Sequence, residues 1–328
     1  MDPLNVALEW QPEQVDVLLQ ALELLGPQLT VLAFSACQNC FPASVSSAVA
    51  QYGTRLRVLR LPDCAWAAEG LAMLGANATA LQVFEAGGIS ISVRAPLPAE
   101  ALGHLAGCTQ LQELHLDATQ LKDAQLIAIA LGCGPSLRVL DLAGCACLTD
   151  AAIAVVAEMC PQLETLNLRM CAWVAAAGVT ALGQHCHELR VLDLDRVRGA
   201  TGGLQALVGC PKLEVLTVSQ CTLLAEDLQA ICTGLPSLSR LDLNAARLPS
   251  LPAYELLAHC TSLHHLSLNG HKLPDGRLDD VCELLARSLP NLESLDLNNS
   301  SLKQRGLDAV RAALPNCHVH TIHCNLGD

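Results

Sequence analysis

Leu137-Arg-Val-Leu-Asp-Leu-Ala-Gly-Cys145 and Leu163-Glu-Thr-Leu-Asn-Leu-Arg-Met-Cys171 are two copies of one phrase, with apolar residues at the first, fourth and sixth places. The phrase recurs at intervals of 24 to 30 residues, with eleven starts at Leu29, Leu56, Leu81, Leu111, Leu137, Leu163, Leu189, Leu213, Leu238, Leu263 and Leu292. Periods of this length are typical of solenoids, because a single unit cannot bury its apolar face alone. The sequence therefore predicts stacked coils that share one continuous core.

Within one coil the spacing predicts a strand, a turn and then a helix. In the unit from Leu163, alternation turns Leu166 and Leu168 inward, whereas Thr165 and Asn167 point outward from the sheet. In the preceding unit, the segment Leu148-Thr-Asp150 supplies a side-chain oxygen suited to cap a helix that continues from Ala151. Each unit thus contributes a strand to one parallel sheet and a helix to the opposite surface.

Composition and charge limit the classes of function. The chain is 52% hydrophobic, yet no run approaches the ~20 apolar residues of a membrane span. No Lys or Arg precedes Arg55, which disfavours a signal peptide or presequence, so we expect the cytoplasm, with the nucleus or a cilium as alternatives. A net charge of -13 and eight aromatic residues argue against nucleic acid. We expect a protein partner with a basic surface, no membrane and no small-molecule substrate.

The 17 cysteines follow the period of the repeat. Five occupy the ninth place of their units, namely Cys37, Cys64, Cys145, Cys171 and Cys221. Five others stand three residues before the next start, namely Cys108, Cys160, Cys186, Cys210 and Cys260. A thiol at such places serves as a small buried hydrophobe that donates weakly to a neighbouring coil. We therefore predict free, structural thiols, and we give the Cys37–Cys40 spacing no redox or zinc role.

Two segments carry a resemblance to a known family, CPQLETLNLRMC from Cys160 to Cys171 and CLTDAAIAVVAEMC from Cys147 to Cys160. They resemble cysteine-containing leucine-rich repeats, best known from the F-box substrate receptors of SCF-type, cullin-based ubiquitin ligases. The resemblance covers residues 29–317 only, and no F-box is visible before them. It implies an α/β fold, a leucine-rich repeat solenoid (horseshoe) with a parallel concave sheet, convex helices and about eleven to twelve coils.

The ends of the chain and two tryptophans carry separate expectations. Residues 1–28 are expected to form an N-terminal capping helix, or the helix of a degenerate earlier repeat, and residues 29–317 the eleven repeat units. Residues 318–328 are expected to form a terminal strand and tail. Trp66 and Trp173 each lie two residues after a ninth-place cysteine, and we expect both to pack over a helix start; the alternative is an exposed anchor for a partner.

The concave face is the expected binding surface, since parallel strands side by side offer a long groove. Its fifth-place and seventh-place side chains are largely acidic, with a few arginines. The partner-binding candidates are His115, Asp117, Asp141, Asn167, Arg169, Asp193, Asp195, Arg196, Arg240, Asp242 and Asp296. The alternative is that some of these aspartates are only common wording of the repeat.

No catalytic residue is predicted, because no nucleophile elbow, phosphate loop or HExxH motif is present. We also expect no cofactor and no metal, although Cys317, His318, His320, His323 and Cys324 lie close together in sequence. The sequence therefore favours a non-enzymatic protein-interaction scaffold, related to ubiquitin-ligase substrate receptors. The alternative is a structural subunit of a large assembly, such as a ciliary or axonemal regulatory complex.

Overall fold

A computed structural model describes residues 4–9, 15–25, 28–35, 43–61, 66–87, 98–274 and 276–324 of the chain. The residues fall into two compact units, Met1–Asn167 and Leu168–Asp328. Cys37, Cys40 and Cys64, and with them the predicted ninth-place role of two cysteines, lie outside the described residues.

In the first unit, parallel strands follow one another in chain order and each pairs with the next. The strands are β1 (Leu4–Glu9), β2 (Leu29–Ser35), β3 (Val58–Arg60), β4 (Val83–Glu85), β5 (Glu113–His115), β6 (Val139–Asp141) and β7 (Thr165–Asn167). The helices are α1 (Val15–Leu25), α2 (Ala43–Tyr52), α3 (Ala68–Asn77), α4 (Ala99–Leu102), α5 (Asp123–Cys133) and α6 (Asp150–Met159). A 3-10 helix, Gly103–Gly107, extends α4, and Gly134–Ser136 extends α5.

The second unit repeats this arrangement with parallel strands again in chain order. Its strands are β8 (Val191–Asp193), β9 (Val215–Thr217), β10 (Arg240–Asp242), β11 (His265–Ser267), β12 (Ser294–Asp296) and β13 (His318–His320). Its α-helices are α7 (Ala176–His185), α8 (Ala225–Gly234), α9 (Leu251–Leu256), α10 (Arg277–Ser288) and α11 (Gln304–Ala313). The unit from Leu189 has only a 3-10 helix, Leu204–Gly209, and another, Leu257–His259, extends α9.

The core of each unit is built from the repeat leucines. The fourth-place side chains Leu114, Leu140 and Leu166 are fully buried and lie in register on neighbouring strands. In the second unit, Leu216 and Leu241 are equivalent. Each buried leucine is worth about 1.5–3 kcal/mol before the cost of ordering the chain. The predicted α/β leucine-rich repeat architecture is confirmed.

The eighth place of the repeat has an unusual backbone conformation. Among the described residues, seven other than glycine have φ between 49° and 62°, namely Ala118, Met170, Arg196, Gln220, Ala245, Asn299 and His323. This left-handed conformation costs roughly 1–2 kcal/mol per residue for an L-amino acid. The backbone N–H of Met170 donates to the Asp195 carbonyl at 2.8 Å, and that of Gln220 donates to the Asn244 carbonyl at 2.8 Å. The turn is therefore fixed by hydrogen bonds to the next coil.

The N-terminal segment differs from the expectation of a helix alone. Helix α1 begins at Val15 and buries Leu18 and Leu22, as the apolar spacing predicts. However, strand β1 precedes it and pairs with β2 over Leu4–Glu9. Residues 4–25 thus have the strand-then-helix order of a repeat, because Leu4-Asn-Val-Ala-Leu alternates as the later strands do.

The described ninth-place cysteines have the predicted role. Cys145 is buried and donates from Sγ to the Leu116 carbonyl of the previous coil at 3.2 Å. Burial is the main cause that raises the pKa of the Cys145 thiol to about 11. Twelve described cysteines are free, but Cys232 and Cys260 are joined by a disulfide, so the prediction of free thiols is wrong for this pair. Their Cα atoms lie 4.4 Å apart, because the end of α8 adjoins the C-terminal cap of the following 3-10 helix.

The two tryptophans differ. Trp66 is buried as expected, whereas the expected packing of Trp173 is wrong, since 71% of this residue is exposed. Within the described part of the chain, no helix combines the length and the apolar character needed to cross a membrane.

Candidate functional site

The outward side chains of the first unit's strands form one row across neighbouring strands. β-sheet register places Glu85 beside His115, His115 beside Asp141, and Asp141 beside Asn167. Arg60 precedes them and pairs with Glu85, with Nε 3.2 Å from Oε2. We call this row, from Arg60 to Asn167, the first strand face. It brings together three predicted candidates, His115, Asp141 and Asn167.

Asp117, two residues beyond β5, adds a carboxylate to the same face. Burial, followed by the nearby Asp141 carboxylate, raises the pKa of Asp117 above its ordinary value. A cation placed near Asp117 would offset the repulsion from Asp141 and favour the ionised form of Asp117. This pair is therefore electrostatically suited to a positively charged ligand group.

The second unit's row alternates acids with hydroxyl groups. Its strands align Asp193, Thr217, Asp242, Ser267, Asp296 and His320, in that order. Since neighbouring strands lie about 4.8 Å apart, the carboxylates recur every ~10 Å. We call these six side chains the second strand face.

Hydrogen bonds orient the acids of the second strand face. Asp242 Oδ1 accepts from the Ser219 hydroxyl at 2.7 Å and from the Asn244 backbone N–H at 2.9 Å. Ser267 donates to Asp296 Oδ2 at 3.2 Å. A carboxylate has about four lone-pair sites, so both aspartates keep acceptor capacity toward solvent. Among the residues that the structure describes, neither is in a salt bridge.

These strands enclose an open groove with a volume of about 330 Å³. Its polar lining includes Arg240, Asp242, His265, Ser267, Asp296 and His320. The lining suits a charged or strongly hydrogen-bonding group better than an apolar one, because few apolar side chains face it.

Asp195, Arg169 and Arg196 form a separate cluster at one edge of the second unit. Asp195 is buried, and its Oδ2 lies 3.1 Å from Arg169 Nε and 3.9 Å from Arg196 Nε. Burial is the main cause that raises the pKa of neighbouring Asp193, and the charge of Asp195 adds to it. Asp195 therefore acts mainly on the arginines and on Asp193, whereas Arg169 and Arg196 are exposed to solvent.

The predicted candidates thus occupy three settings. His115, Asp117, Asp141 and Asn167 lie on the first unit; Asp193, Arg240, Asp242 and Asp296 lie on the second unit's strands; Arg169, Asp195 and Arg196 lie in its loops. Ser219, whose hydroxyl donates to Asp242, was not among the predicted candidates, and neither was Ser267, although strand alternation puts Ser267 in the same row as the acids. Within the described residues, no group of three or more His, Cys, Asp or Glu is placed to hold a metal ion.

No protein-family model and no curated protein matches this sequence. Among solved structures, an LRR protein of Leptospira interrogans is similar over 89% of this chain and 84% of that chain, with 16% identity and a TM-score of 0.48. The plant peptide hormone receptor RGFR1 in complex with RGF2 is similar over 91% of this chain and 56% of the receptor chain, with 16% identity and a TM-score of 0.49. An internalin of Listeria monocytogenes is similar over 85% and 79% of the two chains, with 14% identity and a TM-score of 0.42. Assignment to the leucine-rich repeat fold rests on this chain's own strand register and buried leucines.

Proposed function

We propose that this chain is a non-enzymatic scaffold that binds a protein partner through its strand faces. The observation that carries the proposal is the second strand face, where Asp242 and Asp296 are held by hydrogen bonds and lack a salt bridge among the described residues. Fixed acceptors of this kind bind Lys or Arg side chains without first losing much side-chain entropy. The partner accordingly has a basic contact surface.

The first strand face extends the same preference. Asp117 has a raised pKa because it is half-buried near Asp141, and a bound cation would offset that repulsion. The affinity for a basic partner is therefore expected to fall as the pH falls through the pKa values of Asp117 and Asp193, since protonation removes their charge.

For the biological context, we propose a relative of ubiquitin-ligase substrate receptors, supported by cysteines that recur with the repeat and donate to the previous coil. Helix α1 is not proposed as an adaptor contact, since it buries Leu18 and Leu22. A pull-down with the purified F-box-recognising adaptor tests whether α1 can serve as an adaptor contact; no capture is expected, because Leu18 and Leu22 are buried, and capture by the wild-type chain would overturn this reading of α1. A structural subunit of a ciliary or axonemal assembly is the alternative context.

We propose the cytoplasm as the location, with the nucleus or a cilium as alternatives. Twelve free thiols among the described cysteines fit a reducing compartment. The Cys232–Cys260 bond points the other way, because disulfides persist mainly in oxidising compartments. Fractionation of cells that express the tagged chain distinguishes a reducing from an oxidising compartment.

Comparative affinity purification tests the scaffold function. The bait proteins are the wild-type chain, the triple variant Asp193→Asn, Asp242→Asn, Asp296→Asn, and a control, Asp308→Asn, altered at an exposed acid on α11. Partners should be retained by the wild type and the control and lost by the triple variant, because only that variant loses strand-face charge. Equal retention of every partner by all three baits would overturn the assignment to the strand face.

A further inference from the structure

Six loops of the second unit, each directly after a strand of the sheet, carry a charge opposite to that of the chain as a whole. We call these loops, residues 168–175, 194–203, 218–224, 243–250, 268–274 and 297–303, the loop edge. They contain six basic residues, namely Arg169, Arg196, Arg198, Arg247, Lys272 and Lys303. In these ranges Asp195 is the one acid, and it is buried; Asp275, which directly follows the fifth range in sequence, lies outside the described residues. The loop edge is thus a basic strip on a chain with a net charge of -13.

Four of these cations are uncompensated. Arg198, Arg247, Lys272 and Lys303 are exposed, and within the described part of the chain none of them is in a salt bridge. Basic residues at the other end of the second unit's strands behave differently. Lys212 pairs with Glu188 at 2.5 Å, and Arg190 pairs with Glu214. Arg240, Arg277 and Arg311 of this unit are also exposed and outside the salt bridges of the described residues, so the loop edge is distinguished by having four such cations in ranges that contain no exposed acid.

The loops are held side by side by backbone hydrogen bonds. The N–H of Leu223 donates to the Arg247 carbonyl at 3.0 Å, and the N–H of Arg247 donates to the Cys221 carbonyl at 2.8 Å. One loop further, the N–H of Ser301 donates to the His271 carbonyl at 3.2 Å. The backbones of neighbouring loops therefore lie about 5 Å apart, and the basic side chains project from ordered backbone.

An exposed apolar anchor lies at one end of the loop edge. Trp173 is 71% exposed and Met170 is 43% exposed, both in the loop 168–175. Arg196 reaches the Met170 sulfur at 4.0 Å, so a cation adjoins the apolar pair. Tryptophan, methionine and arginine are enriched in the core of protein interfaces, and fully exposed tryptophan is uncommon on a surface without a partner.

We propose that the loop edge is a second docking surface, separate from the strand faces, for an acidic segment of a protein partner that carries an apolar side chain. The acidic side chains pair with Arg198, Arg247, Lys272 and Lys303, while the apolar side chain packs on Trp173. Charge complementarity selects this occupant, since the strand faces of the same unit are acidic and repel it. An extended peptide rises about 3.3 Å per residue. The distance between acidic side chains at every second position therefore exceeds the distance between successive loops by ~2 Å.

The proposal is tested with a defined probe, the fluorescein-labelled peptide Phe-Glu-Glu-Glu-Glu-Glu-Glu-Glu, which has its aromatic residue at one end as the loop edge has Trp173, and a matched peptide in which every Glu is Gln. Fluorescence polarisation should show binding of the acidic peptide to the full chain and none of the Gln peptide. The affinity should fall as the salt concentration rises from about 50 mM to about 200 mM, because exposed ion pairs are screened.

Two variants with a matched control locate the site. Arg247→Glu should lower the affinity for the acidic peptide about fivefold, as expected for an exposed ion pair. Trp173→Ala should also lower this affinity. Arg311→Glu changes an exposed arginine on α11 that has no salt bridge among the described residues, and it should bind as the wild type does. Equal affinity of Arg247→Glu and Arg311→Glu, or equal binding of both peptides, would overturn the proposal. An oligothymidine that competes for the same residues with higher affinity would overturn it in favour of a nucleic acid.

Discussion

Removal of the Asp227 carboxylate should open the contact between two neighbouring repeats of the second unit. Asp227 lies in the first turn of α8 and is fully buried. Its Oδ2 accepts from the Gly202 N–H at 3.0 Å and from the Leu224 N–H at 3.1 Å. In Asp227→Ala, both donors lose their acceptor, at about 1–3 kcal/mol each. Relief of a buried charge offsets part of this cost, so we expect a loss of roughly 2–4 kcal/mol.

Two companion variants separate the hydrogen bonds from the charge. Asp227→Asn keeps one oxygen for both donors and should cost about 1 kcal/mol, while Glu226→Ala, at the exposed neighbouring position, should stay within about 0.5 kcal/mol of wild type. Urea unfolding measures the free energies, and hydrogen exchange at the Gly202 and Leu224 amides reports the contact itself. Equal behaviour of Asp227→Ala and Glu226→Ala in both measurements would show that the Asp227 carboxylate does not hold the two repeats together.

Three further predictions concern other parts of the chain. His271 is buried, its Nε2 donates to the Leu243 carbonyl, and burial lowers its pKa. The stability that His271 contributes should therefore be fully present above the ordinary pKa of 6.5 and be lost as the pH falls through the lowered pKa. Urea unfolding as a function of pH measures this dependence, and His271→Gln should reduce it. Alkylation after denaturation without reductant, followed by peptide mapping, should leave Cys232 and Cys260 unmodified and the other described cysteines modified; complete modification of both would contradict the disulfide. Leu18→Asp with Leu22→Asp should lower the thermal midpoint, because both residues are buried on α1, and an unchanged melt would show that α1 does not cover the core.

Much of the fold could be predicted from spacing alone, because leucine at the first, fourth and sixth places has only one way to bury itself in a parallel stack. Leu163, Leu166 and Leu168 are all buried, and Thr149 caps α6 by accepting from the Ala151 N–H at 3.3 Å. Strand β1 was not predicted, because its sequence lacks the first-place leucine that stands three residues before the buried fourth-place residue in the repeats.

The sequence could predict which candidate side chains share a face of the sheet, but not the hydrogen bonds between them. Strand alternation alone places Asp193, Asp242 and Asp296 on one face, as the register of the second unit confirms. The hydrogen bond from Ser219 to Asp242 depends on the orientation of both side chains, which no one-dimensional pattern contains. The exposure of Trp173 likewise depends on the path of its loop, since Trp66 occupies the same place in its repeat and is buried.

The most direct test of the account is the salt dependence of the affinity for a partner recovered by comparative purification. Isothermal titration of that purified partner should give an affinity for the wild-type chain that falls steeply between about 50 and 300 mM salt, because strand-face charges attract a basic surface. The triple variant Asp193→Asn, Asp242→Asn, Asp296→Asn should bind more weakly and with a shallower salt dependence. An affinity and a salt dependence shared by the wild type and the variant would contradict the claim that the acidic strand faces bind the partner.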